Sequence, residues 1–224
     1  MMTSLFSMFD PTTVSPIPMN WSSMILPSIL LPLVYWKPQS RMNILMKKMT
    51  TTLNNEFSSL FTKTIMMKGT TLIPITLFFF ILISNITSNF PYSFCCSAHL
   101  SFSLSLALPI WMSIIMFFWI KLTKTTLSHL VPSGTPNILM PMMVMIEMTS
   151  NIIRPMALAV RLTANLIAGH LLMALLGNTL NIKNYTWLVI LTIQTLFLTF
   201  ELMVAVIQSY VFSVLMTLYS SEIS

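Results

Sequence analysis

The sequence predicts an all-α integral membrane protein. Three observations carry that expectation. Only 7% of the 224 residues are charged while 55% are apolar, against roughly 25% charged in a soluble domain. The mean hydropathy is +0.83. Several apolar runs approach the length of about 20 residues that a helix needs to cross hydrocarbon. They are too long and too uniformly apolar for the alternating strands of a membrane barrel. About five membrane helices and one interfacial amphipathic helix fit into a single membrane domain over 1–224. The last two helices form a long, steeply tilted hairpin.

The elements follow in order. Residues 1–13 are a short polar head. The first membrane helix spans 14–36 and is interrupted by Pro16, Pro18, Pro27 and Pro32, so its regular part can begin near Asn20. Trp21, Tyr35 and Trp36 suit the two membrane interfaces. In the region 37–69, Met42, Leu45, Met46, Met49, Leu53, Phe57, Leu60 and Phe61 recur at spacings of three and four. That is an amphipathic helix on the membrane surface, or else a solvated loop.

Residues 70–120 hold two spans, Thr70–Phe90 and Leu100–Ile120, around a polar turn. Lys121 to Asn137 is read as a connection rich in proline. Ile138 to Leu180 then runs for 43 residues with no strong stop except Pro155, about 64 Å of helix at 1.5 Å per residue. Two spans meeting near Pro155 would account for it. One long helix, tilted and bent there, is preferred because it keeps a polar stripe continuous. After a turn at 181–185 comes Thr186–Tyr219, again too long for an upright span. Region 138–219 is thus a tilted helical hairpin.

Basic residues concentrate in two connections, with Lys37, Arg41, Lys47, Lys48, Lys63 and Lys68 in one and Lys121 and Lys124 in the other. The positive-inside rule puts both on the inner side. With one crossing for 138–180 the N-terminus lies outside and the C-terminus inside; with two, the C-terminus lies outside. Basic residues are not interleaved with aromatics, so no nucleic acid is expected as a partner. Cys95 and Cys96 are adjacent and suggest no disulfide framework, and no metal-ligand spacing surrounds them. His99 reads as a loop histidine. No cofactor or metal is expected.

The polar residues inside the long apolar segments carry the functional signal, because charge in hydrocarbon costs about 2.5–3.5 kcal/mol for an Arg on insertion scales. Glu147, Arg154 and Arg161 stand seven apart, with Asn151 and Asn165 four beyond the first and last. At about 100° per residue all five fall on one stripe, while His170 faces about half a turn away. Gln194, Glu201 and Gln208 repeat the seven-residue spacing in the last segment, beside the small residues Ala205, Ser209 and Ser213, which let helices approach.

Arg161 stays charged at any working pH, so it is either a fixed charge that keeps a passing carboxyl ionised or half of a salt bridge. Glu147 lies about 21 Å away along the helix, out of reach, which leaves Glu201 as the partner in the second case. His170 and Glu201 are either a proton relay or a buried packing pair. In a hairpin register His170 faces about residue 196, with Glu201 a turn and a half deeper, and bends in the helices or a different turn would bring the two into contact. Glu147 marks a polar entrance or an acid near a helix N-terminus. The charges are spread along two helices rather than gathered as nucleophile, base and oxyanion donors.

The run IIRPMALAVRLTANLIAGHLL, with LVPSGTPNILMPMMVMIE before it and ELMVAVIQSYVFSVLMTLYSSE after it, resembles the a-subunit family of mitochondrial ATP synthases. MMTSLFSMFDP and LSLALPIW are similar to its arthropod members. The resemblance covers essentially the whole chain and is most specific over 128–222. It implies a non-catalytic, proton-translocating stator in the mitochondrial inner membrane, beside a rotating c-ring whose small subunits each bear a membrane carboxylate. It also implies peripheral-stalk and small membrane subunits as partners, together with protons and membrane lipid. Arg161 matches the family's coupling arginine. Asn165, His170, Glu201 and Gln208 match the half-channel open to the intermembrane space, and Glu147 the acid of the matrix half-channel. Exchange of the acid and the histidine between the positions of His170 and Glu201 in bacterial relatives supports a paired role. The alternative is a subunit of a secondary transporter or ion channel, which midplane charges also suit; no inverted repeat is evident.

Overall fold

The computed structural model describes residues 5–12, 19–30, 41–60, 69–90, 93–121, 123–131, 136, 138–179 and 186–222. Every described element is helical: short 3-10 helices at Leu5–Phe9, Met19–Met24 and Cys96–Ala98, and seven α-helices. These are α1 (Leu26–Leu30), α2 (Arg41–Leu60), α3 (Leu72–Ser88), α4 (Leu100–Lys121), α5 (Thr123–His129), α6 (Met140–Asn178) and α7 (Thr186–Glu222). Among them α4, α6 and α7 are long and apolar enough to cross a membrane. With 17 residues, α3 sits at the short end of the roughly 17–25 that a span requires.

Local chemistry explains the boundaries. Gly69 takes φ +103°, a left-handed conformation open to glycine, and its carbonyl accepts the Leu72 N–H at 3.1 Å. That turn launches α3, whose Pro74 falls in the first turn, where no backbone donor is needed. α6 continues for 39 residues straight through Pro155, about 58 Å at 1.5 Å per residue. The single-helix option therefore holds over two separate spans. The expectation for 121–137 is corrected in part, since Thr123–His129 is helical. The surface pattern of 37–69 does form a helix over Arg41–Leu60, with Met42, Leu45 and Met49 exposed and Phe57 buried. The turn at 181–185, Lys37, Lys63, Lys68, Tyr35 and Trp36 lie outside the described residues.

The chain divides into two compact units. One comprises Met1–Leu33, Phe78–Ser103 and Arg161–Tyr210. Its buried positions include Ile81, Phe102, Leu162, Leu166 and Ala205, alongside polar Ser84, Asn85, Ser88 and Ser209. Trp21 packs against Phe94 and His99, with ring centroids at 5.9 and 5.3 Å, so Trp21 belongs to an aromatic cluster within the protein. On α7, Leu196, Phe200, Met203, Ile207 and Tyr210 are exposed at spacings of four and three, forming one apolar stripe.

The other unit comprises Val34–Leu77, Leu104–Val160 and Val211–Ser224. Its core includes Phe57, Leu158, Ala159, Phe212 and Met216, with Ser213 and Thr217 fully buried. The burial of Ala205, Ser209 and Ser213 bears out the reading of small residues as the close-approach face of α7.

Candidate functional site

In the unit holding Arg161–Tyr210, α3, α6 and α7 enclose a cavity of about 370 Å³. Its polar lining is Asn85 and Asn89 from the end of α3, Asn165 from α6, and Glu201 and Gln208 from α7. The Asn165 Nδ2 donates to Gln208 Oε1 at 3.1 Å, so a residue of the polar stripe on α6 is joined to one of the seven-residue series on α7. Glu201 lies against Gly169: a Cβ at 169 would fall 2.8 Å from Glu201 Cδ and closer still to Oε1. Glycine at that position is what admits the carboxyl group.

The Glu201 carboxyl reaches the residue next to His170, so the expected offset of a turn and a half does not keep that carboxyl away from the level of His170. Yet no hydrogen bond or ion pair joins His170 and Glu201 among the described residues. The His170 ring instead meets Cys95, whose Sγ lies 3.3 Å from Nε2, and Phe9, edge-on at a centroid distance of 6.4 Å.

Asn85 and Asn89 are residues that sequence reasoning missed. Asn85 is 0% exposed, and all four side-chain amide atoms of the pair lack a hydrogen-bond partner among the described residues, as does Glu201 Oε1. Buried amides ordinarily find partners, and a cavity of this size with five amide or carboxyl side chains in its wall is roomy enough for water to supply them. The signal was present: two amides four residues apart at the end of an otherwise apolar span.

Arg161 is exposed and forms no ion pair among the described residues. The salt bridge to Glu201 considered from the sequence is therefore absent there, and among the described residues no carboxylate compensates the guanidinium.

The second unit has its own cavity of about 400 Å³, lined by Trp111, Phe118 and Trp119 of α4, Thr123 and Leu127 of α5, and Glu147, Asn151 and Arg154 of α6. Arg154 comes within 4.0 Å of Glu147, two turns earlier, and its guanidinium lies 5.3 Å from the ring centre of Tyr219, inside cation–π range. The charges of the stripe thus fall into two groups, Glu147 with Arg154 within 4.0 Å of it, and Arg161 with no ion pair among the described residues. No group of three or more metal-ligating side chains gathers among the described residues.

Comparison of the amino-acid sequence with known proteins points to one family. A family model for the ATP synthase A chain matches residues 17–221. The chain belongs to that family. It is 49% identical to an ATP synthase subunit a of Locusta migratoria over 225 residues, with both chains covered completely. It is 50% identical to that of Drosophila simulans over the same length and coverage. Against that of Artemia franciscana it is 48% identical over 223 residues, 99% of this chain and all of the relative. The arthropod affinity expected from the sequence therefore holds. Membership in the ATP synthase A chain family makes this a non-catalytic subunit and a multi-pass membrane protein.

Proposed function

We propose that the chain is the proton-translocating stator subunit of a mitochondrial ATP synthase, with Arg161 coupling proton flow to rotation of a neighbouring c-ring. The observation that carries this reading is that one unit holds both an exposed Arg161, with no ion pair among the described residues, and a largely apolar cavity into whose wall Asn85, Asn89, Asn165, Glu201 and Gln208 are set. Family membership supplies the partners: the c-ring, the peripheral stalk, small membrane subunits and surrounding lipid.

The mechanism follows from the charges. A proton enters from the intermembrane space through the cavity by way of His170 and Glu201, with the Asn165–Gln208 pair forming part of the wall. It neutralises a ring carboxylate, which then turns into lipid at little electrostatic cost. After nearly a full revolution the acid meets the matrix-side route marked by Glu147 and releases its proton. Arg161 cannot deprotonate, so it does not pass protons itself, and its field keeps the arriving carboxylate ionised. It separates the two routes. Each proton crossing 100 mV yields about 2.3 kcal/mol from the electrical term.

The whole chain acts as a single membrane domain of five crossings, with 14–36 and α3 completing the three long spans and α2 lying at the interface. The unbroken α6 supports one crossing for 140–178, which leaves the N-terminus in the intermembrane space and the C-terminus in the matrix. The test is Arg161→Ala in assembled complex, with proton flux and ATP synthesis followed together. Lost synthesis at normal assembly is expected. Synthesis at the wild-type rate would sink the coupling role.

A further inference from the structure

Two side chains hold the His170 ring. Phe9, which ends the 3-10 helix Leu5–Phe9, meets it edge-on at an interplanar angle of 82°. Cys95, 75 residues earlier in the chain, brings its Sγ to 3.3 Å from Nε2. Cys95 is 5% exposed, and its carbonyl accepts the Ala98 N–H at 3.4 Å, so the tight turn that begins α4 fixes its backbone. A buried cysteine usually acts as a small apolar filler. This one instead points its polar atom at a ring nitrogen.

We propose that Cys95 is a positioning residue for proton transfer at His170, its S–H donating to Nε2 and thereby fixing the ring's rotation and placing the proton of the neutral imidazole on Nδ1. In a neutral imidazole one nitrogen donates and the other accepts, and the partner at one nitrogen decides the role of the other. Burial pushes the Cys95 thiol up to about 11, so near neutral pH the sulfur keeps the proton that this bond requires. A ring free to rotate or to switch tautomer would offer its transferable proton in the wrong direction for part of the time. The inference rests on His170 belonging to the outer proton route.

The titratable groups on the elements around His170 are Cys95, Cys96 and His99 on the α3–α4 connection, Asp10 directly after Phe9, and Glu201 on α7, set against Gly169. None but Cys95 makes a hydrogen bond to the ring among the described residues.

The experiment uses assembled complex in membrane vesicles carrying Cys95→Ala, Cys95→Ser, His170→Gln or Cys95→Ala with His170→Gln. Proton-driven ATP synthesis is measured across a range of outer pH and normalised to assembled complex. Cys95→Ala should lower the rate about three- to tenfold, the equivalent of one net hydrogen bond, and move the pH of half-maximal rate. Cys95→Ser, whose hydroxyl can donate, should stay near wild type. In the His170→Gln background, Cys95→Ala should cause no further loss.

A Cys95→Ala complex with wild-type rate and pH profile overturns the proposal. So does an equal loss in the two backgrounds, or a Cys95→Ser complex as impaired as Cys95→Ala. Where Cys95→Ala assembles poorly, Cys95→Val keeps the volume without the donor and is judged on the same outcomes. His170→Gln at the wild-type rate would bring down the outer-route reading and this inference together. An impaired His170→Gln beside a normal Cys95→Ala would remove the inference alone.

Discussion

Replacing Gly169 with alanine should separate stability from activity. The new Cβ would stand 2.8 Å from Glu201 Cδ, whereas non-bonded carbons settle at about 3.5–4.0 Å. The carboxyl group must therefore retreat by about 1 Å. It lies at the end of a flexible side chain, so it moves while the helices stay in place. The backbone favours the change, since alanine in a helix interior gains about 0.5–1 kcal/mol over glycine. Assembly should be unimpaired. Proton transfer, however, needs heavy atoms within about 2.6–3.2 Å, directly or through one water. Misplacement by about 1 Å can cost on the order of a hundredfold in rate. The expected result is a drop of about ten- to a hundredfold in ATP synthesis driven by an imposed pH gradient, measured by luciferase in vesicles, with the amount of complex on native gels unchanged. Gly169→Ala vesicles that synthesise ATP at the wild-type rate would refute the claim that this glycine exists to admit Glu201.

Other outcomes follow from the same geometry. Asn85→Leu removes buried amide atoms that have no partner among the described residues, so assembly should be unchanged or improved, while proton flux falls if the amide helps to carry water through the cavity; equal flux would exclude Asn85 from the route. Asn165→Ala and Gln208→Ala, measured singly and together by unfolding of the solubilised complex, should show a coupling of about 0.5–1.5 kcal/mol, and strict additivity would mean that their 3.1 Å hydrogen bond contributes nothing. Burial raises the Cys95 thiol from 9.0 to about 11, so at pH 8 its thiolate fraction is about a hundredfold below that of an unshifted cysteine. Maleimide labelling of Cys95 should be correspondingly slow and should accelerate toward pH 11. The sign for stability is the opposite: the folded state retains this proton while the unfolded state loses it, so the contribution is complete below pH 9 and is lost as pH rises to about 11.

The parts legible in the sequence were those that depend on one helix at a time. The length of α6 through Pro155, the apolar spans and the small-residue face of α7 need only the 3.6-residue period and a count of residues. The pairing of Asn165 with Gln208 was within reach because one lay on the polar stripe of α6 and the other in the seven-residue series of α7. What escaped depended on three-dimensional placement. Glu201 meets Gly169 because the described helices pack in a register that the turn length alone did not define. The contact between Cys95 and His170 joins segments far apart in the chain, and no spacing announces it. Asn85 and Asn89 were overlooked inside an apolar span, although a polar group there is a functional candidate by default. α5 was missed because Thr123, Thr125 and Thr126 are weak helix formers.

The stripe of Leu196, Phe200, Met203, Ile207 and Tyr210 on α7 has a mechanical consequence. Its contacts are chiefly dispersion, about 0.1–0.2 kcal/mol per atom pair and without strong directionality. A partner sliding across such a face has few hydrogen bonds to break and re-form at each step, and it exchanges one set of weak contacts for another of similar strength. The energy profile along the path is a low ripple. Were the c-ring of the proposed function to pass this face, the stripe would serve as a bearing, one that keeps a moving neighbour close while letting it pass.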